Sequence, residues 1–320
     1  MSDIKLGISL YSFSTEYIHE KLDFEGVLKK AKDMGYQGIE IVAAQMVPGY
    51  PYPTDEWLCE CKALLAKYGL EPVCWSAYID MGIRSDRDLT EDEIIQFTVN
   101  ALIYAKKAGF PLVRTQHVIS LKIFKAMIPF CRQLGVKLTI EMHHPHHPEV
   151  PVWKEYFDIM KNEGKGILGF VPDFSIFQTM PHKLYLDQAV SFGCRPEKLA
   201  ELVELHRQKA DYSAVENGDY NEIEKHTAEE MFGRFSAPAK IEQLKDIIDC
   251  AFYMHGKFYC LDNDDHDPCI PFEELAAEIK RLGYKGYIAS EYEGHHFDET
   301  IDSEEQLRHF VALMTKNLEA

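Results

Sequence analysis

The sequence predicts an α/β fold: a single (β/α)8 TIM barrel spanning residues 1–320, with an insertion after the sixth strand at about 176–248. Short apolar runs keep giving way to amphipathic stretches, most of which end at a glycine. The alternation reaches eight strands and about eight helices, which implies a parallel sheet. A doubly wound open sheet would be expected to carry a glycine-rich phosphate loop after an early strand, and the sequence has none. Closure into a barrel is therefore favoured.

The elements follow in order. The first strand is the apolar run 4–13, followed by a helix near 23–34 that stops at Gly35. The second strand, 38–43, leads to a helix at 55–68 with Gly69 behind it. The third strand, 71–79, precedes a helix from Glu91 to Ala108, where Thr90 and Glu93 have the spacing of a capping box. The fourth strand is 112–117, with a helix over 121–134 closed by Gly135. Strand 136–143 and helix 152–163 come next, then the sixth strand at 167–174. The rhythm then breaks. Stretches 196–210 and 241–248 are helical in pattern, whereas 211–238 reads as polar and irregular. Alternation resumes with strand 250–262, helix 272–282, strand 286–293 and a closing helix at 303–317. Gly-Tyr-x-Gly recurs at 35–38 and 283–286, a shared helix-to-strand turn.

Composition narrows the function. The 34 Lys and Arg residues face 52 Asp and Glu, a net charge of −18. Such a surface repels phosphate backbones and anionic lipid, so neither nucleic acid nor a membrane is the expected partner. The sequence lacks a signal-peptide pattern, and no stretch approaches the roughly 18 apolar residues of a membrane span. A cytoplasmic protein is expected. The eight cysteines are scattered without a Cys-x-x-Cys pair and read as free thiols.

In barrels of this kind chemistry is built at the C-terminal ends of strands. Here the fourth strand ends in His117 and the fifth in Glu141, with His143 two residues on. The sixth ends in Asp173, the seventh carries His255 and the eighth ends in Glu291. Three carboxylates and an imidazole thus converge from four consecutive strands. Crowded carboxylates repel unless a cation neutralises them or one takes a proton. An oxygen and nitrogen set without thiolate suits one divalent metal: Mn first, with Mg, Co or Zn as alternatives. Ordinary salt-bridged acids at a loop rim are the competing account.

Ile140 to His143 (Ile-Glu-x-His), Asp173 of Val-Pro-Asp, His255 and Glu291 of Ala-Ser-Glu-Tyr together resemble the xylose-isomerase-like barrels. That group includes sugar and sugar-phosphate isomerases, ketose 3-epimerases, inosose dehydratase and endonuclease IV-type repair enzymes. The resemblance implies that Glu141, Asp173, His255 and Glu291 bind one metal and that the two glutamates double as acid and base. A metal chelated by a ketone and its neighbouring hydroxyl acidifies the C–H between them, and a nearby carboxylate or imidazole removes the proton. His143 is a candidate base or sugar-binding group, and Arg114 and His117 are candidate substrate contacts.

Three departures sharpen this reading. Histidines crowd the stretch from Glu141 to Pro148 and recur at His295 and His296. A long acidic segment follows the sixth strand, and a loop with two tyrosines and three prolines, including Tyr50, follows the second. The combination is similar to the larger, metal-bearing subunit of bacterial C-glycoside deglycosidases. That likeness implies a separate small β-rich partner subunit, an oligomer, and cleavage of a 3-oxo-C-glycoside: C2 deprotonation by His143 or Glu141, then β-elimination of an aromatic aglycone with His296 as acid. A ketose or sugar-phosphate epimerase or isomerase is the alternative on the same site. A non-catalytic sugar-binding subunit is the alternative from another class, and the nuclease reading is disfavoured by the net charge.

Overall fold

The computed structural model describes residues 3–116, 119–262 and 264–319. Eight parallel strands form one sheet: β1 (Lys5–Ser9), β2 (Gly38–Val42), β3 (Glu71–Ser76), β4 (Leu112–Thr115), β5 (Lys137–Met142), β6 (Leu168–Pro172), β7 (Met254–Phe258) and β8 (Tyr287–Tyr292). Their spatial order is β6-β5-β4-β3-β2-β1-β8-β7. Isolated parallel bridges Phe170↔Ala251 and Asp173↔His255 join the two remaining edges, so the sheet closes as a (β/α)8 barrel. The core lies between the strands and the surrounding helices, with Ile8, Ile39, Ile140 and Phe170 on the strands fully buried.

Local chemistry explains the boundaries. Gly69, Gly109 and Gly135 all end helices at positive φ. Thr90 and Glu93 form the capping box of the helix Glu91–Ala108. Gly256 matters for the site: a Cβ there would lie 2.5 Å from Phe310 Cζ on the helix Ser303–Glu319. Because strand side chains alternate, the close packing of Phe310 on one face leaves His255 and Lys257 together on the other.

Several elements are shorter than the sequence suggests. The first strand stops at Ser9 and turns through a 3-10 helix, Leu10–Phe13, which carries Tyr11 towards the barrel mouth. The seventh is confined to Met254–Phe258. The helix expected over 121–134 is two, Leu121–Ala126 and Ile128–Leu134, because Pro129 cannot donate the backbone bond that would join them.

The larger correction concerns 211–238, which is not irregular. It holds the helices Ser213–Glu216 and Glu222–Phe235, the second opened by a capping box between Asn221 and Glu224. Together with Lys183–Ser191 and Pro196–Arg207 they enclose a small core that includes Leu199, Leu202, Val215 and Met231. Inward positions of the last helix are Glu224, Thr227, Ala228, Met231 and Phe235. The spacing is helical, but two of these residues are polar and one is small, which hid the stripe. No described helix is long and apolar enough to cross a membrane. All eight cysteines are free thiols.

Candidate metal centre

Glu141 on β5, Asp173 just after β6, His255 on β7 and Glu291 on β8 meet inside the C-terminal mouth of the barrel. Each is buried, and one donor atom from each lies within 4.8 Å of the others. The register explains the meeting. Asp173 bridges to His255 across the closing seam, and Lys257 on β7 is paired with Glu291 on β8.

His255 is fixed from both sides. Its Nε2 lies 2.9 Å from Glu40 Oε2, and its Nδ1 lies 2.8 Å from Glu141 Oε1 and 3.0 Å from Glu291 Oε2. Glu40 is buried on β2, is hydrogen bonded by Ser9 Oγ at 3.0 Å and lies 3.4 Å from Arg114 Nη2. Donating Nε2–H to Glu40 makes Nδ1 the nitrogen that can coordinate a cation.

Burial opposes charge at every one of these groups, and neighbours decide the outcome. Glu141 is held down to about 2 because Arg114 and His255 outweigh its burial. Asp173 is pushed up to about 6 by burial, which Lys257 only partly offsets while Glu291 and Glu141 add repulsion. Burial alone would lower His255, yet Glu291 and Glu40 hold it well above its ordinary value. Asp173 Oδ2 and Glu291 Oε2 accept no hydrogen bond, although Lys257 Nζ stands 3.1 Å from each. Two orphaned, inward carboxylate oxygens beside an imidazole nitrogen fit a divalent cation, and Glu40, Glu141, Asp173, Glu291 and Glu293 outnumber the cationic Arg114 and Lys257. The cluster is a divalent-metal-binding site.

A cavity of about 640 Å³ opens over it, lined by Tyr11, Tyr78, His143, Lys257 and Glu293 among others. His143 Nδ1 lies 2.7 Å from the His144 carbonyl. A carbonyl can only accept, so Nδ1 carries the proton and Nε2 is the basic nitrogen of the neutral ring. The insertion reaches this cavity through Arg234 on the helix Glu222–Phe235.

Other expected residues fall elsewhere. Arg114 is only 1% exposed. Its guanidinium donates to Glu141 Oε2 at 2.5 Å and to the Tyr78 hydroxyl at 2.8 Å, so it sits behind the carboxylate. Tyr50 donates its hydroxyl to the Tyr78 carbonyl, one layer behind the cavity wall. His296 is exposed, lines a neighbouring cavity and bonds through Nε2 to Tyr11 Oη at 2.7 Å. His117 lies outside the described residues.

Glu40, Lys257 and Tyr11 were not singled out from the sequence. Two of them left a signal. Glu40 is the lone charge in the apolar run 38–42, and Lys257 stands two residues after His255, on the same strand face. Tyr11 left none, because the run 4–13 read as unbroken strand.

Comparison with known proteins agrees with the fold. Residues 28–316 match the family described as xylose isomerase-like TIM barrel. The 3'-dehydrocarminate deglycosidase alpha subunit of a Microbacterium species is 29% identical over 93% of this chain and 90% of its own length. A C-glycoside deglycosidase alpha subunit of Arthrobacter globiformis is 28% identical over 95% of this chain and 88% of its own. Among solved structures, D-psicose 3-epimerase from Clostridium cellulolyticum H10 superposes with a TM-score of 0.59 at 12% identity, covering 99% of this chain and 100% of that one. With the closed barrel and the four-residue centre in place, the family match identifies this chain as a member of the xylose isomerase-like TIM barrel family and a metal-dependent enzyme.

Proposed function

We propose that the chain is the metal-bearing subunit of a C-glycoside deglycosidase, cleaving the bond between a 3-oxo sugar and an aromatic aglycone. The observation that carries the proposal is the likeness, over more than nine-tenths of the chain, to alpha subunits named as deglycosidases, in a chain with a buried four-residue metal-binding cluster of its own. Glu141, Asp173, His255 and Glu291 hold the cation, for which Mn is the first choice and Mg, Co or Zn the alternatives. When bound, the cation supplies Lewis acidity that makes the C–H beside a chelated sugar ketone removable.

The chain's own residues supply the rest. His143 Nε2, basic in the tautomer its Nδ1 bond imposes, takes the C2 proton, with Glu141 as the alternative base. The electron pair of that C–H bond becomes the C1–C2 π bond as the C1–aryl bond breaks, and the aryl carbon takes a proton. Tyr11 faces the cavity while hydrogen bonded to His296, so the two together deliver that proton. Arg114 positions Glu141, and Tyr50 braces Tyr78. The cations at the cavity wall are already paired, Arg234 with Glu230 at 2.8 Å and Lys257 with Glu293 at 2.6 Å. That pairing favours a neutral sugar over a phosphorylated one. The words 'alpha subunit' in the names of the relatives support a second subunit in the working enzyme, for which a small, separately encoded β-rich chain is proposed.

The test offers the Mn-loaded protein, alone and with a co-purified small subunit, a 3-oxo-C-glucoside and separately a ketohexose. Release of free aglycone, falling at least about 10²-fold in Glu141→Gln, is expected. Epimerisation of the ketohexose with no aglycone released would overturn the proposal in favour of an epimerase.

A further inference from the structure

A cavity of about 450 Å³ opens where the insertion meets the segment that follows β6. It shares no described lining residue with the metal cavity. Phe235, part of its wall, has its ring centroid 5.9 Å from that of His144, which lines the metal cavity. His206 donates Nε2–H to the Thr179 carbonyl at 3.2 Å and joins the two sides. The size is in the range that takes small organic ligands. Met180 and Phe232, both half-buried, and the buried Phe235 give it an apolar floor. Covering that floor with another apolar surface is favourable.

Charge says what else the occupant carries. Arg207 and Lys209 line the cavity, and no Asp or Glu is among its described lining residues, in a chain whose net charge is −18. Arg207 is already paired with Glu204 at 2.7 Å, whereas the Lys209 ammonium has no ion-pair partner among the described residues. One unmatched positive charge beside an apolar floor fits one negative charge on an apolar body.

The backbone at Lys209 adds an independent observation. The helix Pro196–Arg207 ends in a Schellman turn, in which Lys209 N–H donates to the His206 carbonyl at 2.9 Å and Ala210 N–H to the Leu205 carbonyl at 3.0 Å. The turn puts Lys209 at φ +57°, the left-handed position that glycine takes after other helices of this chain, as at Gly193 and Gly283. A lysine is strained there where glycine is not, so the turn does not call for it. What the lysine adds is a charge at the cavity.

We infer that this cavity binds a small monocarboxylate with an apolar body, its carboxylate against Lys209 and its body on Met180, Phe232 and Phe235. Aromatic acids and medium-chain fatty acids share that chemistry. The inference goes beyond the deglycosidase reading and does not depend on it, because binding is measured without turnover.

The test titrates the full-length, metal-loaded protein by isothermal calorimetry with biphenyl-4-carboxylate, with decanoate and with the neutral biphenyl-4-carboxamide. The variants are Lys209→Gly and Ser236→Asp, the second placing a negative charge at an exposed lining position. Lys209→Gly relieves the left-handed backbone, so it should melt at or above the wild-type temperature. Its Kd for the carboxylate should rise about tenfold, the scale of one charge-assisted hydrogen bond. The carboxamide, weaker than the carboxylate in wild type, should change little. Ser236→Asp should weaken the carboxylate severalfold by like-charge repulsion. Tighter binding of one carboxylate than the other names the source, aromatic or aliphatic, and supports the site. Three results would overturn it: neither carboxylate binding to wild type, a carboxamide that binds as tightly, or equal carboxylate affinity in all three proteins, as for a carboxylate held by the metal.

Discussion

His255 is held between two carboxylates, Glu40 at 2.9 Å from Nε2 and Glu141 at 2.8 Å from Nδ1. Only the second of these belongs to the four-residue metal set, so Glu40 acts on the ligand and not on the cation. Its charge makes the imidazole a stronger donor to a metal, and its position fixes which nitrogen faces inward. Glu40→Gln keeps the shape and removes the charge, and metal affinity should fall about 10–100-fold. Competition with a fluorescent chelator measures this, and an unchanged affinity would mean that Glu40 serves only to neutralise Arg114. The four ligands themselves were legible in the sequence because strand ends fix where a side chain points. Glu40 was less legible because it lies in the middle of a strand, and a role played through another residue leaves no spacing to read. Arg114 misled for a related reason: its strand position was right, but burial turned its guanidinium onto Glu141 and away from the open cavity.

At the scale of elements, the strands and their order followed from apolar alternation, while the turns that follow strands did not. A run such as 4–13 stays rich in apolar residues to its end, so nothing in its pattern marks the point where β1 gives way to the 3-10 helix that delivers Tyr11. The insertion was missed differently. Its helices bury a short, partly polar stripe, because a core of this size needs few large side chains, and Glu224 is buried only by taking bonds from Arg195 and Asn221. This small core predicts separable stability. Met231 is fully buried in it, and Met231→Ala should cost about 2–4 kcal/mol. Hydrogen exchange should accelerate in Lys183–Ser191, Pro196–Arg207 and Glu222–Phe235 while β5–β8 stay protected. Equal acceleration in barrel and insertion would show that the two unfold as one unit. Because Arg234 lies on the same helix as Met231 and lines the metal cavity, KM for the sugar substrate should rise in this variant more than kcat falls.

For the whole molecule, the acidic balance and the buried neutral histidines set the pH behaviour. His182 caps the helix Lys183–Ser191 through Nδ1, stacks on Tyr259 with ring centroids 3.9 Å apart, and is held down to about 3 by burial, with His144 adding repulsion. A histidine depressed in the folded state contributes stability above its unfolded pKa, near 6.5, and loses it as pH falls towards the folded value. Between pH 7 and pH 5 that loss is about 2 kcal/mol for one such group. His182→Asn keeps a capping oxygen and removes the proton site, so its urea-unfolding free energy should fall by that much less than wild type over the same interval. Parallel pH profiles for the two proteins would contradict the assignment. The central claim, that β5 to β8 bring four side chains to a single cation, is tested most directly by elemental analysis. Purified protein, dialysed after exposure to Mn, Mg, Co and Zn in turn, should retain about one divalent ion per chain for at least one of them. Asp173→Asn, still cooperatively folded, should retain almost none. Wild-type protein that holds no ion under any of these conditions, or an Asp173→Asn variant that binds as tightly as wild type, would contradict it.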